Sequence, residues 1–170
     1  QLKPWELHAG VSVPSYACGP DNRGFKGVVE EGSVYAIEPF NTTGSSGMIK
    51  NLGKSNSSNI YRLTGNTTSR KARAKGQLKP LGAQLARNLE ERYSTLPFAE
   101  RWAFPMLEKP FPEADEASRQ SKWNALIKKL ISIRFLETYH VLACADGGNI
   151  CQFEHTVYVT DGGPEILTVE

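Results

Sequence analysis

Two strand-like regions enclose a long helical region in this chain, and this order constrains the fold more than any other feature. Residues 1–63 and 138–170 combine β-branched runs with turn residues, whereas residues 66–135 carry apolar side chains at helical spacing. A block of helices between two sets of strands, without alternation of strand and helix, is typical of α+β proteins. A chain of 170 residues is long enough for a real apolar core. We therefore predict an α+β fold.

The middle region is predicted to contain two amphipathic helices. Each has one stripe of apolar residues at spacings of three and four, so each should bury one face. The first stripe is Leu78, Leu81, Leu85 and Leu89, and the second is Trp123, Leu126, Ile127, Leu130 and Ile131. Between them, residues 96–102 predict a short helical turn that packs Phe98 and Trp102 inward. The two stripes are expected to pack on each other and on these aromatic side chains.

The flanking regions predict strands that end at turns and loops. Val34–Ile37 form an apolar strand, and residues 41–59, which are rich in Ser, Thr, Asn and Gly, predict a long flexible loop. Turn signals at residues 146–149 and 161–164 separate β-prone segments. Residues 138–170 therefore predict a meander of three strands.

Two glutamates in these strands are candidates for chemistry. Glu38 follows an apolar strand, and Pro39 after it cannot donate a ladder hydrogen bond, which suits a strand that ends at a site. Glu154 lies mid-strand, where alternation places it on one face with Ile150, Gln152, Thr156 and Tyr158. From the residues alone, a solvent-facing glutamate on a half-buried sheet is the more common explanation. A pair of divalent metal ions is the alternative.

Composition and motifs narrow the function classes. The net charge of +2 does not demand a nucleic-acid partner, and no apolar run approaches the roughly 20 residues of a membrane span. The sequence contains no phosphate-binding loop, dinucleotide-binding glycine motif or nucleophilic serine motif. Three cysteines, Cys18, Cys144 and Cys151, lack CxxC spacing and form an odd set, which favours free thiols in a reducing compartment.

Four short motifs occur in a set order along the chain. They are Leu-His-Ala-Gly at residues 7–10, Tyr-Ala-Ile-Glu-Pro-Phe at residues 35–40, Leu-Pro-Phe-Ala-Glu-Arg-Trp at residues 96–102, and Gln-Phe-Glu-His-Thr at residues 152–156. Together they resemble the C-terminal half of a type II methionine aminopeptidase, in a form typical of archaeal members. The resemblance covers nearly the whole chain.

The resemblance implies a fold and a domain arrangement. The family has the pita-bread α+β fold, in which two similar halves pack their sheets around a metal site. This chain would be the second half, formed by residues 1–65 and 139–170. Residues 66–138 would be the type II helical insertion, a winged-helix-like subdomain. The whole enzyme would remove N-terminal methionine from nascent polypeptides in the cytoplasm, with no membrane partner and with the ribosome as a further partner.

The resemblance also implies the roles of individual residues. Glu38 would bind one of two divalent metal ions (Co, Mn, Fe or Zn) and assist proton transfer, and Glu154 would bridge both ions. His8 would act in catalysis by hydrogen-bonding the substrate at the scissile peptide. The substrate pocket would be lined by Leu7, His8, Tyr139 and Ile60, the last at a position where eukaryotic members carry a histidine. His140 and His155 are expected to be structural.

The ligand set departs from the family pattern. The family uses two aspartates, one histidine and two glutamates, and only the two glutamates fall within this sequence. The other ligands are expected upstream of Gln1, in a missing N-terminal half, so the chain alone is expected to be inactive. A non-catalytic pita-bread protein that binds RNA or protein is one alternative. A winged helix that binds nucleic acid through the basic residues 70–75 is another, although a solvated helix start explains those charges more simply.

Overall fold

The computed structural model describes Trp5, Gly10, residues 28–53 and residues 57–169. These residues form two compact units. The helical unit comprises residues 52–141, and the sheet unit combines residues 1–51 with residues 142–170. Helices and strands are both present and segregated, so the predicted α+β class is confirmed. Within the described part of the chain, no helix is both long and apolar enough to cross a membrane.

The helical unit contains four α-helices. They are α1 (Thr67–Ala74), α2 (Pro80–Tyr93), α3 (Glu100–Ala103) and α4 (Glu116–Ser132), with a 3-10 turn at Phe104–Leu107. Side-chain caps begin α1 and α4, because Asn66 accepts a hydrogen bond from the amide of Ser69 and Asp115 accepts one from the amide of Ser118. This bond also holds the pKa of the Asp115 carboxyl below its usual value. The long helix α2 has proline in its first turn, where no amide donor is needed.

The two predicted stripes meet in one core. Leu85 and Leu89 of α2 and Trp123, Ile127 and Leu130 of α4 are all buried in the same apolar cluster. Phe98 is fully buried there and stacks on Tyr93 with ring centroids 4.4 Å apart. The prediction that the two stripes pack together with Phe98 is confirmed for all their residues except Leu81, which is half-buried and is not in this cluster.

The prediction for Trp102 is wrong. Its side chain is 51% exposed, and the guanidinium of Arg101 lies 5.2 Å from its ring centroid. Ala103, the next residue of α3, is the one that is buried. The chain passes from an extended pair at Phe98 into a helix at Glu100, and this change of period turns Trp102 outward.

A small antiparallel sheet completes the helical unit. It consists of β4 (Ser57–Leu63), β5 (Phe98–Ala99) and β6 (Leu136–His140), in the order β5-β4-β6. Because β4 begins at Ser57, the end of the predicted loop 41–59 is a strand instead. Tyr61 and Leu63 of β4 point into the core, since alternate residues of a strand face the same side.

The described part of the sheet unit contains seven short strands. They are β1 (Val34–Ile37), β2 (Phe40–Thr42), β3 (Ile49–Asn51), β7 (Leu142–Cys144), β8 (Ile150–Gln152), β9 (His155–Thr160) and β10 (Gly163–Ile166). The pairings are β1-β9-β10, β2-β8 and β3-β7. The predicted meander over residues 138–170 is therefore wrong, since only β9 and β10 pair as a hairpin. The other C-terminal strands of the unit pair with strands that precede the helices.

The loop between β2 and β3 is held in place by Asp146. One oxygen of this carboxylate accepts hydrogen bonds from the amides of Ser45 and Ser46, at 2.7 and 3.1 Å. The other accepts one from the thiol of Cys144 at 2.8 Å. These bonds hold the pKa of the Asp146 carboxyl well below its usual range. Residues 41–51 thus form two strands and a clasped loop, which corrects the prediction of one long flexible loop.

Candidate metal-binding site

Glu38 and Glu154 lie in the interruption between two antiparallel ladders, β1-β9 and β2-β8, that keep one register. Strand β1 pairs Ile37 with His155, and β2 pairs Phe40 with Gln152 in the same register. Between these two pairs, Glu38 falls opposite Glu154. The interruption is bridged by the amide of Phe153, which donates to the carbonyl of Pro39 at 3.5 Å.

The shared register predicts that the two glutamate side chains lie on the same face. Residues directly opposite each other in an antiparallel pair share a face, with Cβ atoms about 4.5–5.5 Å apart. Gln152, two residues before Glu154, lies on that face and its side-chain amide donates a hydrogen bond to the carboxylate of Glu38. Regular strand pairing stops at Glu38, because the next residue, Pro39, has no amide hydrogen to donate. The register therefore favours a position for two acidic oxygen donors near each other on this face.

The electrostatics of this arrangement favour a cation. Like charges at directly opposed strand positions are destabilising, and the arrangement requires a compensating positive group or solvation. Both glutamates are exposed. Carboxylate oxygens are ligands that divalent metal ions accept readily. The pair can thus contribute two ligands to a metal ion approaching this face.

The described residues supply only part of a metal site. Among them there is no group of three or more His, Cys, Asp or Glu side chains placed to hold one ion. The neighbouring His155 lies on the other face, and its Nδ1 is 3.0 Å from the hydroxyl of Thr168. The donor set fits a divalent ion by its chemistry, but two carboxylates are too few to hold it tightly.

Apolar side chains next to the two glutamates in sequence are exposed. Ile37 and Phe40, on either side of Glu38, are 50% and 42% exposed, and Phe153, beside Glu154, is 66% exposed. Further large apolar residues of the sheet unit are exposed as well, namely Val28, Val29, Met48, Ile49, Leu142, Ile166, Leu167 and Val169. Such a concentration of exposed apolar surface is typical of an interface that another chain segment covers.

The other predicted site residues are Leu7, His8, Ile60 and Tyr139. Leu7 and His8 fall outside the described residues. Ile60 is half-buried in β4, and Tyr139 is exposed in the neighbouring strand β6, both in the helical unit. Arg62 places its guanidinium 5.9 Å from the centroid of the Tyr139 ring. The strand register thus puts Glu38 across from Glu154, and Ile60 and Tyr139 lie on adjacent strands.

Gln152 was missed as a site residue by sequence reasoning. The signal was present, because strand alternation places it on the same face as Glu154. Its contact with Glu38 depends on the pairing of β8 with β2, two strands that the helical unit separates in the sequence. Alternation within one strand does not reveal that pairing.

Comparisons with known proteins identify relatives over almost the whole chain. No family model matches it. A methionine aminopeptidase of Archaeoglobus fulgidus is 35% identical over 168 residues, which are 98% of this chain and 46% of that protein. One from Methanothermobacter thermautotrophicus is 34% identical over 167 residues, again 98% of this chain and 46% of the relative. The chain therefore spans about half the length of the curated relatives it matches.

A solved structure supports the fold. The structure of a thermophilic Arx1, a pita-bread protein, matches 86% of this chain and 33% of its own, with a TM-score of 0.50 and 20% sequence identity. This likeness concerns the fold alone. The chain thus has the pita-bread fold, and it is similar to methionine aminopeptidases over 98% of its length in a way consistent with a C-terminal portion.

Proposed function

We propose that this chain is the C-terminal part of a metal-dependent methionine aminopeptidase that releases N-terminal methionine from nascent polypeptides. The single observation that carries the proposal is the shared register of the β1-β9 and β2-β8 ladders, which puts Glu38 across from Glu154. Like charges at directly opposed strand positions are destabilising, and a shared cation would offset this repulsion. The sequence relationship to methionine aminopeptidases suggests what that cation does.

Glu38 and Glu154 would hold the metal, and Glu154 would bridge two ions. Divalent ions, when bound, polarise a carbonyl and lower the pKa of a coordinated water. Gln152 would orient the Glu38 carboxylate through its amide, leaving the second oxygen of that carboxylate for proton transfer. His8 would hydrogen-bond the substrate, while Leu7, Ile60 and Tyr139 would line the pocket for the methionine side chain.

We infer that activity requires a further polypeptide segment. The archaeal relatives are about twice as long as the matched region, since that region is 46% of their length. The exposed apolar side chains next to the glutamates in sequence could be covered by such a segment. Covering it would exclude water from the carboxylates, and the added segment would supply the further metal ligands that the described residues lack. The isolated chain would then be inactive.

We further propose that the protein acts in the cytoplasm and that its helices form an insertion within the fold. Cys144 and Cys151 are free thiols, which persist where the environment is reducing. Residues 66–138 would be the type II insertion. The three helices α1, α2 and α4 against the sheet β5-β4-β6 support a winged-helix-like description of that insertion.

Complementation tests this function. The 170-residue chain is mixed with the part of the Archaeoglobus fulgidus relative that lies outside the matched region, and methionine release from a short peptide is measured with added Mn²⁺ or Co²⁺. We expect release only from the mixture, and we expect Glu38→Ala and Glu154→Ala to abolish it. Glu165→Ala, an exposed strand glutamate of the same unit, is the matched control and should retain activity.

Two outcomes would oppose the proposal. Metal-dependent release that is unaffected by both glutamate substitutions would remove them from the site. Tight association of the two segments with no release under any metal would favour a non-catalytic pita-bread protein, the alternative inferred from the sequence.

A further inference from the structure

An open surface cavity lies in the helical unit, and neither Glu38 nor Glu154 lines it. It has a volume of about 260 Å³ and is formed by α1, α2 and Phe135. Its floor is apolar and consists of Ala74, Leu78, Ala83, Ala86 and Phe135. Pockets for drug-sized ligands and cofactors typically have about 300–1,000 Å³. This one is smaller, and its size suits one or two apolar side chains of a partner.

The rim of the cavity is cationic. Lys71 and Lys75 stand one turn apart on the side of α1 that faces the cavity, and Arg87 lines it from α2. All three side chains are exposed, and neither ion pair found in the described part of the helical unit involves any of them. Three positive charges therefore stand around an apolar floor.

Among the described residues, one acidic side chain lines the cavity, and it is already neutralised. Glu90 accepts two hydrogen bonds from the guanidinium of Arg70, at 2.7 and 3.2 Å, and Arg70 is fully buried. The charge of Glu90 is thereby balanced from inside the unit. The cavity presents a net positive rim to a ligand.

We propose that this cavity binds an acidic peptide segment of a partner protein, with one or two leucine-like side chains inserted into the apolar floor. Acidic residues on either side of that anchor would pair with Lys71, Lys75 and Arg87. Apolar anchors at helical spacing that enter a groove, with charges along its edge, are a recurrent mode of peptide recognition.

A single-stranded nucleic acid is the less suitable occupant. Such ligands bind through bases stacked on accessible aromatic rings as well as through phosphate contacts. The one aromatic residue of this cavity, Phe135, is 2% exposed and is not available for stacking. The cationic rim would suit phosphate groups as well as acidic side chains. The apolar floor therefore distinguishes the two ligands, because it suits leucine-like side chains and offers no exposed aromatic ring.

Fluorescence anisotropy on the whole chain tests the proposal. The probe is a short labelled peptide of glutamates with leucines at helical spacing, and the comparison probe carries serines in place of the leucines. We expect saturable binding of the leucine peptide, weakening as salt rises, and at least about fivefold weaker binding of the serine peptide. Glu38→Ala should leave this binding unchanged, which separates it from the proposed aminopeptidase function.

Charge-reversal variants locate the site. The triple variant Lys71→Glu, Lys75→Glu, Arg87→Glu should bind the leucine peptide at least about tenfold more weakly than the unaltered chain. The control triple variant Lys50→Glu, Lys109→Glu, Lys128→Glu has the same charge change on other exposed positions and should lose no more than about twofold. Circular dichroism establishes that both variants fold.

Four results would each overturn the proposal. These are the absence of saturable binding by the unaltered chain, equal affinity for the leucine and serine peptides, equal losses in the two triple variants, and displacement of the peptide by an oligouridylate that binds more tightly. The last result would assign the cavity to nucleic acid instead.

Discussion

The guanidinium of Arg70 lies 2.7 Å from a carboxylate oxygen of Glu90, and the Arg70 side chain is only 2% exposed. The same guanidinium donates to the carbonyls of Thr64 and Gly65, where β4 leads into α1. One buried cation thus joins a strand end, a helix start and the neighbouring helix α2.

Removing the acidic partner of this pair should destabilise the protein. Glu90→Gln leaves a buried positive charge without its counterion, and breaking a buried pair in this way typically costs about 3–5 kcal/mol. Glu137→Gln is the control, because its pair with Arg62 is nearly half exposed on both sides and should contribute about 1 kcal/mol or less. Urea unfolding followed by circular dichroism measures both. Equal effects of the two substitutions would contradict the structural role given to Arg70.

The Asp146 clasp should make stability depend on pH. The pKa of this carboxyl is lower in the folded protein than in the unfolded chain, so its stabilising contribution is complete above about pH 4 and is lost as the pH falls through the folded value. Asp146→Ala should therefore lower the melting temperature at pH 7, and its difference from the unaltered protein should shrink as the pH falls below about 4. Melting curves recorded at pH 7 and at a pH below about 4 check this.

Asp161→Ala provides the control for the Asp146 prediction, because it changes an exposed aspartate in another turn of the same unit. It should show no comparable change with pH. A difference between Asp146→Ala and the unaltered protein that stays constant over the whole pH range would show that the clasp does not depend on the carboxylate charge.

Two aromatic residues of one motif should differ sharply in their contribution to stability. Phe98→Ala empties a fully buried position and should cost about 3–5 kcal/mol. Trp102→Ala removes a half-exposed ring and its contact with Arg101, and should cost about 1 kcal/mol or less. Urea unfolding distinguishes them. A larger loss for Trp102→Ala would support the inward packing that the sequence predicts.

The helices and the face of each strand could be predicted from sequence, but the strand partners could not. The stripes through Leu85 and Trp123 follow from helical spacing, which is a local property. Alternation likewise places Gln152 and Glu154 on one face. It does not say that β8 and β9 pair with β2 and β1, because pairing depends on long-range packing and on the turns that set the register.

The candidate site shows the same division. Glu38 and Glu154 were identified from motifs, yet their opposition depends on a register that spans the helical unit. Trp102 was placed inward because apolar residues are usually buried, whereas the change from strand to helix at Glu100 turned it outward. The loop of residues 41–51 is polar in composition, and its order comes from Asp146, which is distant in sequence.

Manganese binding followed by nuclear magnetic resonance tests the central claim most directly, since paramagnetic broadening detects even a weak site. We predict that Mn²⁺ added to the 170-residue chain broadens the amide resonances around Glu38 and of Gln152 to Thr156 before others. The double variant Glu38→Gln, Glu154→Gln should abolish this broadening, whereas Glu165→Gln should not. Broadening that is absent from this ladder, or that persists in the double variant, would contradict a metal site held by Glu38 and Glu154.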